Sequence, residues 1–293
     1  MVKCYQYWVI NVKTQSKVHG AISIVNALAT GKGSALGISL ETTADVFLTS
    51  ESNVELIINN DKSEDPNLAR ECFKLIQNYS SESCGAKITI NSDIPIGRGL
   101  KSSSAAASAI VLSCLKAFDL TMDEKEILDL SVQASKNAGV TITGALDDTA
   151  ACFLGGLVVT DNSSNSILSR TIINDDYSIL IHVPDHKNYT RDVGLFESDK
   201  FEDSIDVLIS MALNGNYLSA MSLNGMIFSK ILKQSDAASI LALKSNALSA
   251  GLSGTGPSVV AICNSDTKSS IIDSWKSLDG DIITTKINND AGL

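Results

Sequence analysis

The sequence predicts an α+β protein of two lobes. Three observations predict it. Helix-like and strand-like segments mix without the strict alternation that builds a parallel βαβ sheet. A polar, turn-rich stretch, Asp161-Asn-Ser-Ser-Asn-Ser166, interrupts the chain near its middle. The 293 residues are 44% hydrophobic and 19% charged, with only 4 prolines. That is enough for one large or two medium cores, and it excludes disordered, collagen-like and low-complexity classes. The division is placed between residues 161 and 162, giving lobes of 1–161 and 162–293.

The elements follow in order. Short apolar, β-type runs stand at residues 5–12, 44–48, 54–58 and 87–94. Between the first two lies a Gly/Ala-rich stretch, residues 19–39, outside the strand-like runs. A helix is expected near 67–78. Residues 105–118 are small and apolar on all sides, the pattern of a buried helix. Thr121-Met-Asp-Glu124 has capping-box spacing and opens a helix to about residue 137, with Gly139 as its stop. Residues 146–153 read as another small-residue helix ended by Gly155-Gly156, and 157–160 as a strand. Beyond the division, strands are expected at 178–183, 259–263 and 281–286, and helices at 201–213, 217–232 and 236–249. Met211, Met221 and Met226 lie at roughly helical spacing and read as core.

Charge narrows the function. The formal net charge is -10, and the only arginines are Arg70, Arg98, Arg170 and Arg191. A basic nucleic-acid face is not expected. An anionic ligand must be held by a few local cations, by backbone amides or by a metal ion. The 6 cysteines form no CxxC pair and read as reduced, buried thiols. There is no signal-peptide layout and no run of about 18 uncharged apolar residues. A cytoplasmic protein without a membrane partner is expected, as a monomer or homodimer.

Pro95-Ile-Gly97-Arg98-Gly99-Leu100-Lys101-Ser102-Ser103-Ser104-Ala105 lies between a strand and the buried helix. Its glycines allow positive φ and close approach to a ligand. The N–H groups opening the helix favour an anion. Three serine hydroxyls can bond phosphate oxygens or a hydrated Mg²⁺, and Arg98 and Lys101 add positive charge. Together these describe a phosphate-binding turn. It is not a Walker A loop, which needs Gly-x4-Gly-Lys-[Ser/Thr]. At the nearest candidate Asn26 replaces the first glycine and Gly33 the hydroxyl residue. Asp147 and Asp148 are adjacent carboxylates among small apolar residues, costly to bury without a purpose. Ser253-Gly254-Thr255-Gly256-Pro257 precedes an apolar strand. Alone, the first pair is an acidic helix start and the second segment a tight connection. His182-Val-Pro-Asp-His186 has metal-type residues, but Pro184 breaks the helix that such a pair needs.

In order, these segments resemble the GHMP kinases, the superfamily of galactokinase, homoserine kinase and mevalonate kinase. Pro-x3-Gly-Leu-x-Ser-Ser is similar to the second motif, whose loop wraps the ATP phosphates. Ser-Gly-x-Gly-Pro is similar to the third motif in its homoserine kinase form. An Asp seven residues before a Gly, here Asp148 before Gly155, resembles the catalytic aspartate of mevalonate kinase and galactokinase. Val18-His19-Gly20-Ala21 stands where many members carry Pro-Gly-Lys, so that lysine is absent. Asn26-Ala-Leu-Ala-Thr30-Gly31-Lys32-Gly33-Ser34-Ala35 looks like the archaeal shikimate kinase branch. The resemblance runs from about residue 19 to 263.

It implies a two-lobed GHMP kinase fold, with an N-terminal ATP-binding lobe and a C-terminal ferredoxin-like α/β-sandwich lobe. It implies transfer of phosphate from ATP to the 3-hydroxyl of shikimate, with Mg²⁺. Pro95, Gly97, Arg98, Gly99, Leu100, Lys101, Ser102, Ser103, Ser104 and Ala105 would hold the nucleotide, with Ser103 on the metal. Asp148, Asp147 and Lys101 would be catalytic. Asp148 would accept the hydroxyl proton; Asp147 would bind Mg²⁺, contact substrate or only cap its helix. Thr30, Lys32, Ser253, Gly254, Thr255, Gly256 and Arg191 would face the substrate. Lys32 would replace the absent lysine, and Arg191 would clamp the carboxylate. The alternatives are another GHMP kinase such as homoserine kinase, or a catalytically idle ligand sensor on the same fold.

Overall fold

The structure is a computed structural model and describes residues 12–188 and 200–292. Arg191, and the strand expected at 5–12 except for Val12, lie outside the described residues.

β1 (Lys13–Val25) and β2 (Lys32–Thr49) form a long antiparallel hairpin. Residues 19–39 are therefore largely strand, which corrects the reading of that stretch. Glycine and alanine weaken a strand's own propensity, but here they admit close neighbours. A Cβ on Gly37 would lie 2.7 Å from the Asn288 carbonyl oxygen and 3.1 Å from that of Ala151.

β2 pairs along its second half with β4 (Gly85–Ser92) and along its first half with β5 (Leu157–Asp161). β3 (Val54–Ile58) runs parallel to β4, with α1 (Asn67–Gln77) as the crossover. β6 (Ser166–Thr171), a strand not anticipated, extends the sheet from β5. The polar stretch at residue 161 is the hairpin turn between β5 and β6. The chain leaves this sheet for the second at residues 172–177, and near its end it returns, with Ile287 bridging Ile38.

α2 (Ser102–Ala117) packs against β1 and β2 and touches α1 as well as α3 (Glu124–Asn137) and α4 (Leu146–Leu154). It is buried nearly all round, as its small apolar residues require. The capping box of α3 is shifted from the expected pair. Asp123 accepts from the Glu126 N–H at 2.8 Å, and the Glu126 carboxylate accepts from the Asp123 N–H at 2.9 Å.

The second sheet is antiparallel: β7 (Ser178–Val183), β8 (Ser249–Leu252), β9 (Val259–Cys263) and β10 (Asp281–Lys286), in the order β10-β7-β9-β8. α5 (Glu202–Leu213), α6 (Tyr217–Ile231) and α7 (Ala237–Lys244) connect β7 to β8, and α8 (Ser265–Trp275) connects β9 to β10. This is the expected ferredoxin-like order. The helix expected over 236–249 ends at Lys244; Asn246 then turns left-handed (φ 64°) and Ser249 enters β8. α8 was not anticipated, because only Ile271 and Trp275 of its residues are buried. Met221 is core, whereas Met226 is half exposed, which corrects that reading.

Candidate active site

Two helix starts meet at one cavity. α2 begins after Lys101 and α4 after Ala145, both left-handed, with φ of 66° and 52°. No side chain caps α2. Its first helical bond runs from the Ala105 N–H to the Lys101 carbonyl at 3.0 Å. The N–H groups of Ser102, Ser103 and Ser104 thus have no partner inside the helix, and they stand at its positive end. Gly97 and Gly99 both take positive φ in the turn before it. A Cβ on Gly99 would overlap the Ser253 carbonyl oxygen.

Lys101 Nζ lies 2.8 Å from Asp148 Oδ1, with 9% of the lysine side chain exposed and 18% of the aspartate. Burial opposes the ammonium charge, but Asp148 and then Asp147 outweigh it and hold Lys101 above the ordinary lysine value. Asp147 is buried in the first turn of α4 and accepts from Asn162 Nδ2 at 2.9 Å. Burial, and next the charge of Asp148, push Asp147 up to about 7. Gly33 leaves it room, since a Cβ there would overlap its carboxylate.

The turn after β8 is stitched to the phosphate turn and to β1. Ser253 Oγ donates to the Gly99 carbonyl at 2.8 Å and accepts from the Ser23 N–H at 3.1 Å. The Gly254 N–H donates to Ser23 Oγ at 3.0 Å, and Asn26 Nδ2 donates to the Gly254 carbonyl at 2.9 Å. Asn188 donates its N–H to the Gly97 carbonyl at 2.8 Å and its amide to the Thr255 carbonyl at 2.7 Å. Segments distant in sequence thereby close around a cavity of 480 Å³.

Of the residues singled out from sequence, Gly97, Gly99, Lys101, Ser102, Ser103, Ser104, Asp147, Asp148, Gly254 and Thr255 line this cavity. Pro95, Arg98, Leu100, Ala105, Ser253 and Gly256 do not; Leu100 and Ala105 are core. The Arg98 guanidinium donates to the Asp185 carbonyl, bracing the turn. Thr30 and Lys32 are not brought to the cavity. Thr30 Oγ1 accepts from the Lys32 N–H at 3.2 Å, and Lys32 Nζ pairs with Asp206 at 2.9 Å on the exposed surface. The cation that does meet a carboxylate at the helix starts is Lys101. His182 Nε2 donates to the Asp279 carbonyl at 3.0 Å, and its ring lies tilted against that of Trp275. Among the described residues no group of three or more His, Cys, Asp or Glu could hold a metal. Sequence reasoning missed Ser23, Asn162 and Asn188, whose bonds here run, apart from that of Asn162 to Thr160, to partners 15 or more residues away. It also missed an apolar wall built from Leu56, Ile58, Leu68, Ile90 and Ile96.

A family profile described as "GHMP kinases N terminal domain" matches residues 67–156, and one described as "GHMP kinases C terminal" matches residues 205–279. The chain belongs to the GHMP kinase family. The first matched segment of this GHMP kinase holds both helix starts. Within the family it falls with archaeal shikimate kinases. It is 36% identical over 284 residues to the shikimate kinase of Methanothermobacter thermautotrophicus, covering 95% of this chain and 97% of the relative. It is 39% identical over 277 residues to that of Methanosarcina mazei, covering 94% of each. A homoserine kinase structure from Cytophaga hutchinsonii superposes with a TM-score of 0.78 at 16% identity over 99% of each chain. L. major mevalonate kinase in complex with R-mevalonate gives 0.76 at 14%, over 98% of this chain and 100% of that one. At such identities these two speak to the GHMP kinase fold alone.

Proposed function

We propose that this GHMP kinase transfers the γ-phosphate of ATP to the 3-hydroxyl of shikimate, a step toward chorismate and the aromatic amino acids. The observation that carries the chemistry is the Lys101–Asp148 pair beside the uncapped start of α2 in one cavity. The shikimate kinases that match nearly the whole chain supply the substrate.

The three free N–H groups and the serine hydroxyls receive the triphosphate. The apolar wall of Leu56, Ile58, Leu68, Ile90 and Ile96 suits an adenine ring. The hydroxyl of Ser103, exposed on the first turn of α2, fits a hard, hydrated cation carried on phosphates, and Ser103 would hold it. Mg²⁺, when bound, offsets phosphate charge. Asp148 orients the substrate hydroxyl and takes its proton. Lys101 fixes the Asp148 carboxylate and offsets charge that develops during transfer. Asp147, buried beside Asp148 and bonded to Asn162, positions rather than reacts. Arg191 would clamp the substrate carboxylate. No helix among the described residues is long and apolar enough to cross a membrane. The proposal places the reaction in the cytoplasm, in a monomer or homodimer, without a nucleic-acid partner.

The test is coupled ADP release with Mg-ATP on shikimate, homoserine, mevalonate and galactose in parallel. Activity confined to shikimate is expected. Turnover of another member of the panel instead would overturn the substrate, and silence on all four would overturn the kinase reading.

A further inference from the structure

Asn162 lies just past β5, in the stretch that the sequence marks only as a polar turn. It is 4% exposed, and its amide is fully used. Nδ2 donates to Asp147 Oδ1 at 2.9 Å and to Thr143 Oγ1 at 3.2 Å. Oδ1 accepts from Thr160 Oγ1 at 2.7 Å and from the Asp147 N–H at 3.4 Å. The Asn162 N–H donates to the Gly31 carbonyl at 2.9 Å. One residue therefore ties the turn after β1, the loop before α4 and the first turn of α4.

These bonds also fix which way the amide points. A flipped amide would set Nδ2 against the Asp147 N–H and Oδ1 against the Asp147 carboxylate, two repulsive contacts. Asp147 is thus held at its main chain and at one carboxylate oxygen, with Gly33 packed close on the other. Its neighbour Asp148 is the carboxylate that meets Lys101.

We propose that Asn162 is a positioning residue for phosphoryl transfer. It anchors Asp147 through main chain and side chain, and so sets the first turn of α4 with Asp148 aimed at Lys101 and the substrate. The proposal rests on the reading of Asp148 as the proton acceptor. An ångström of misplacement at a reacting group costs about 10²-fold in rate, and Asn162 stands where such a shift would originate.

The test compares wild type with Asn162→Asp, Thr160→Val, Asp148→Asn and the exchange variant Asn162→Asp/Asp147→Asn. Each is assayed for kcat, for the KM of ATP and for thermal midpoint. Asn162→Asp sets two carboxylates face to face; kcat should fall about 10²-fold. The KM of ATP should stay within about threefold, because Asn162 does not touch the α2 turn. The exchange variant restores a donor and acceptor in reverse and should recover most of kcat. Thr160→Val removes one donor to Oδ1 while both Asp147 contacts still hold the amide, so it should lower kcat far less than Asn162→Asp does.

Near-wild-type turnover in Asn162→Asp, with Asp148→Asn inactive, would overturn the proposal alone. So would an exchange variant as slow as Asn162→Asp. An active Asp148→Asn would overturn the underlying reading, and the proposal with it.

Discussion

The buried cluster at the two helix starts holds one ammonium against two carboxylates, and removing different members should have opposite consequences for stability. At 2.8 Å and an effective dielectric constant of about 20, the Lys101–Asp148 attraction is about 6 kcal/mol before desolvation is charged against it. Lys101→Met removes that cation and leaves two neighbouring carboxylates buried together. A broken buried pair of this kind costs about 3–5 kcal/mol. Asp148→Asn loses the same attraction but also relieves the repulsion that pushes Asp147 up, and Lys101 keeps Asp147 as a counter-charge. Its stability should therefore stay within about 1 kcal/mol of wild type. Activity follows a different order. Asp148→Asn removes the proton acceptor and should lower kcat by about 10²–10⁴. Lys101→Met should lower it by about 10²–10³ through lost charge stabilisation. Urea unfolding at pH 8, beside steady-state kinetics on the same preparations, reads both. An Asp148→Asn as unstable as Lys101→Met would refute the charge balance, and unchanged turnover in Asp148→Asn would refute the role of Asp148.

Three other outcomes are expected. Gly99→Ala places a Cβ on the Ser253 carbonyl oxygen at a φ of 77°; it should cost at least about 2 kcal/mol and raise the KM of ATP, read by unfolding and kinetics. Asp147 is pushed up to about 7, so the folded state keeps a proton that the unfolded chain releases. Its contribution to stability is present at low pH and is lost as pH rises from the ordinary carboxylate range through about 7. Asp147→Asn should remove that dependence, so the wild-type thermal midpoint, relative to the variant, should fall between pH 5 and pH 8; parallel curves would contradict this. Lys32→Ala removes an exposed pair with Asp206 outside the cavity wall and should leave kcat and both KM values within about twofold.

What was legible in the sequence was local. The turn from Pro95 to Ala105 carries its chemistry in consecutive residues, because glycine conformation, helix N–H groups and serine hydroxyls act within one turn of chain. α3 and the strand β10 were legible for the same reason. The β1–β2 hairpin was not, because its glycines answer to groups remote in the chain: Gly37 to the backbone of Asn288 and Ala151, Gly33 to the Asp147 carboxylate. Lys32 stood within a motif-like run yet pairs with Asp206, whereas the left-handed turn at Lys101 carries a lysine 47 residues before Asp148 to its side. Asn162 gave no signal of its own, since most of its amide bonds run to partners 15 to 19 residues away that only the fold brings together.

We propose above that Asp148, paired with Lys101 at the start of α2, enables phosphate transfer to shikimate. The most direct test is to incubate wild type and Asp148→Asn with Mg-ATP and shikimate, follow phosphorylated product by phosphorus NMR, and measure ATP binding by calorimetry on both. Wild type should give shikimate 3-phosphate, the variant almost none, and the two should bind ATP with similar affinity. Equal product from both, or a variant that fails to bind ATP, would contradict the proposal.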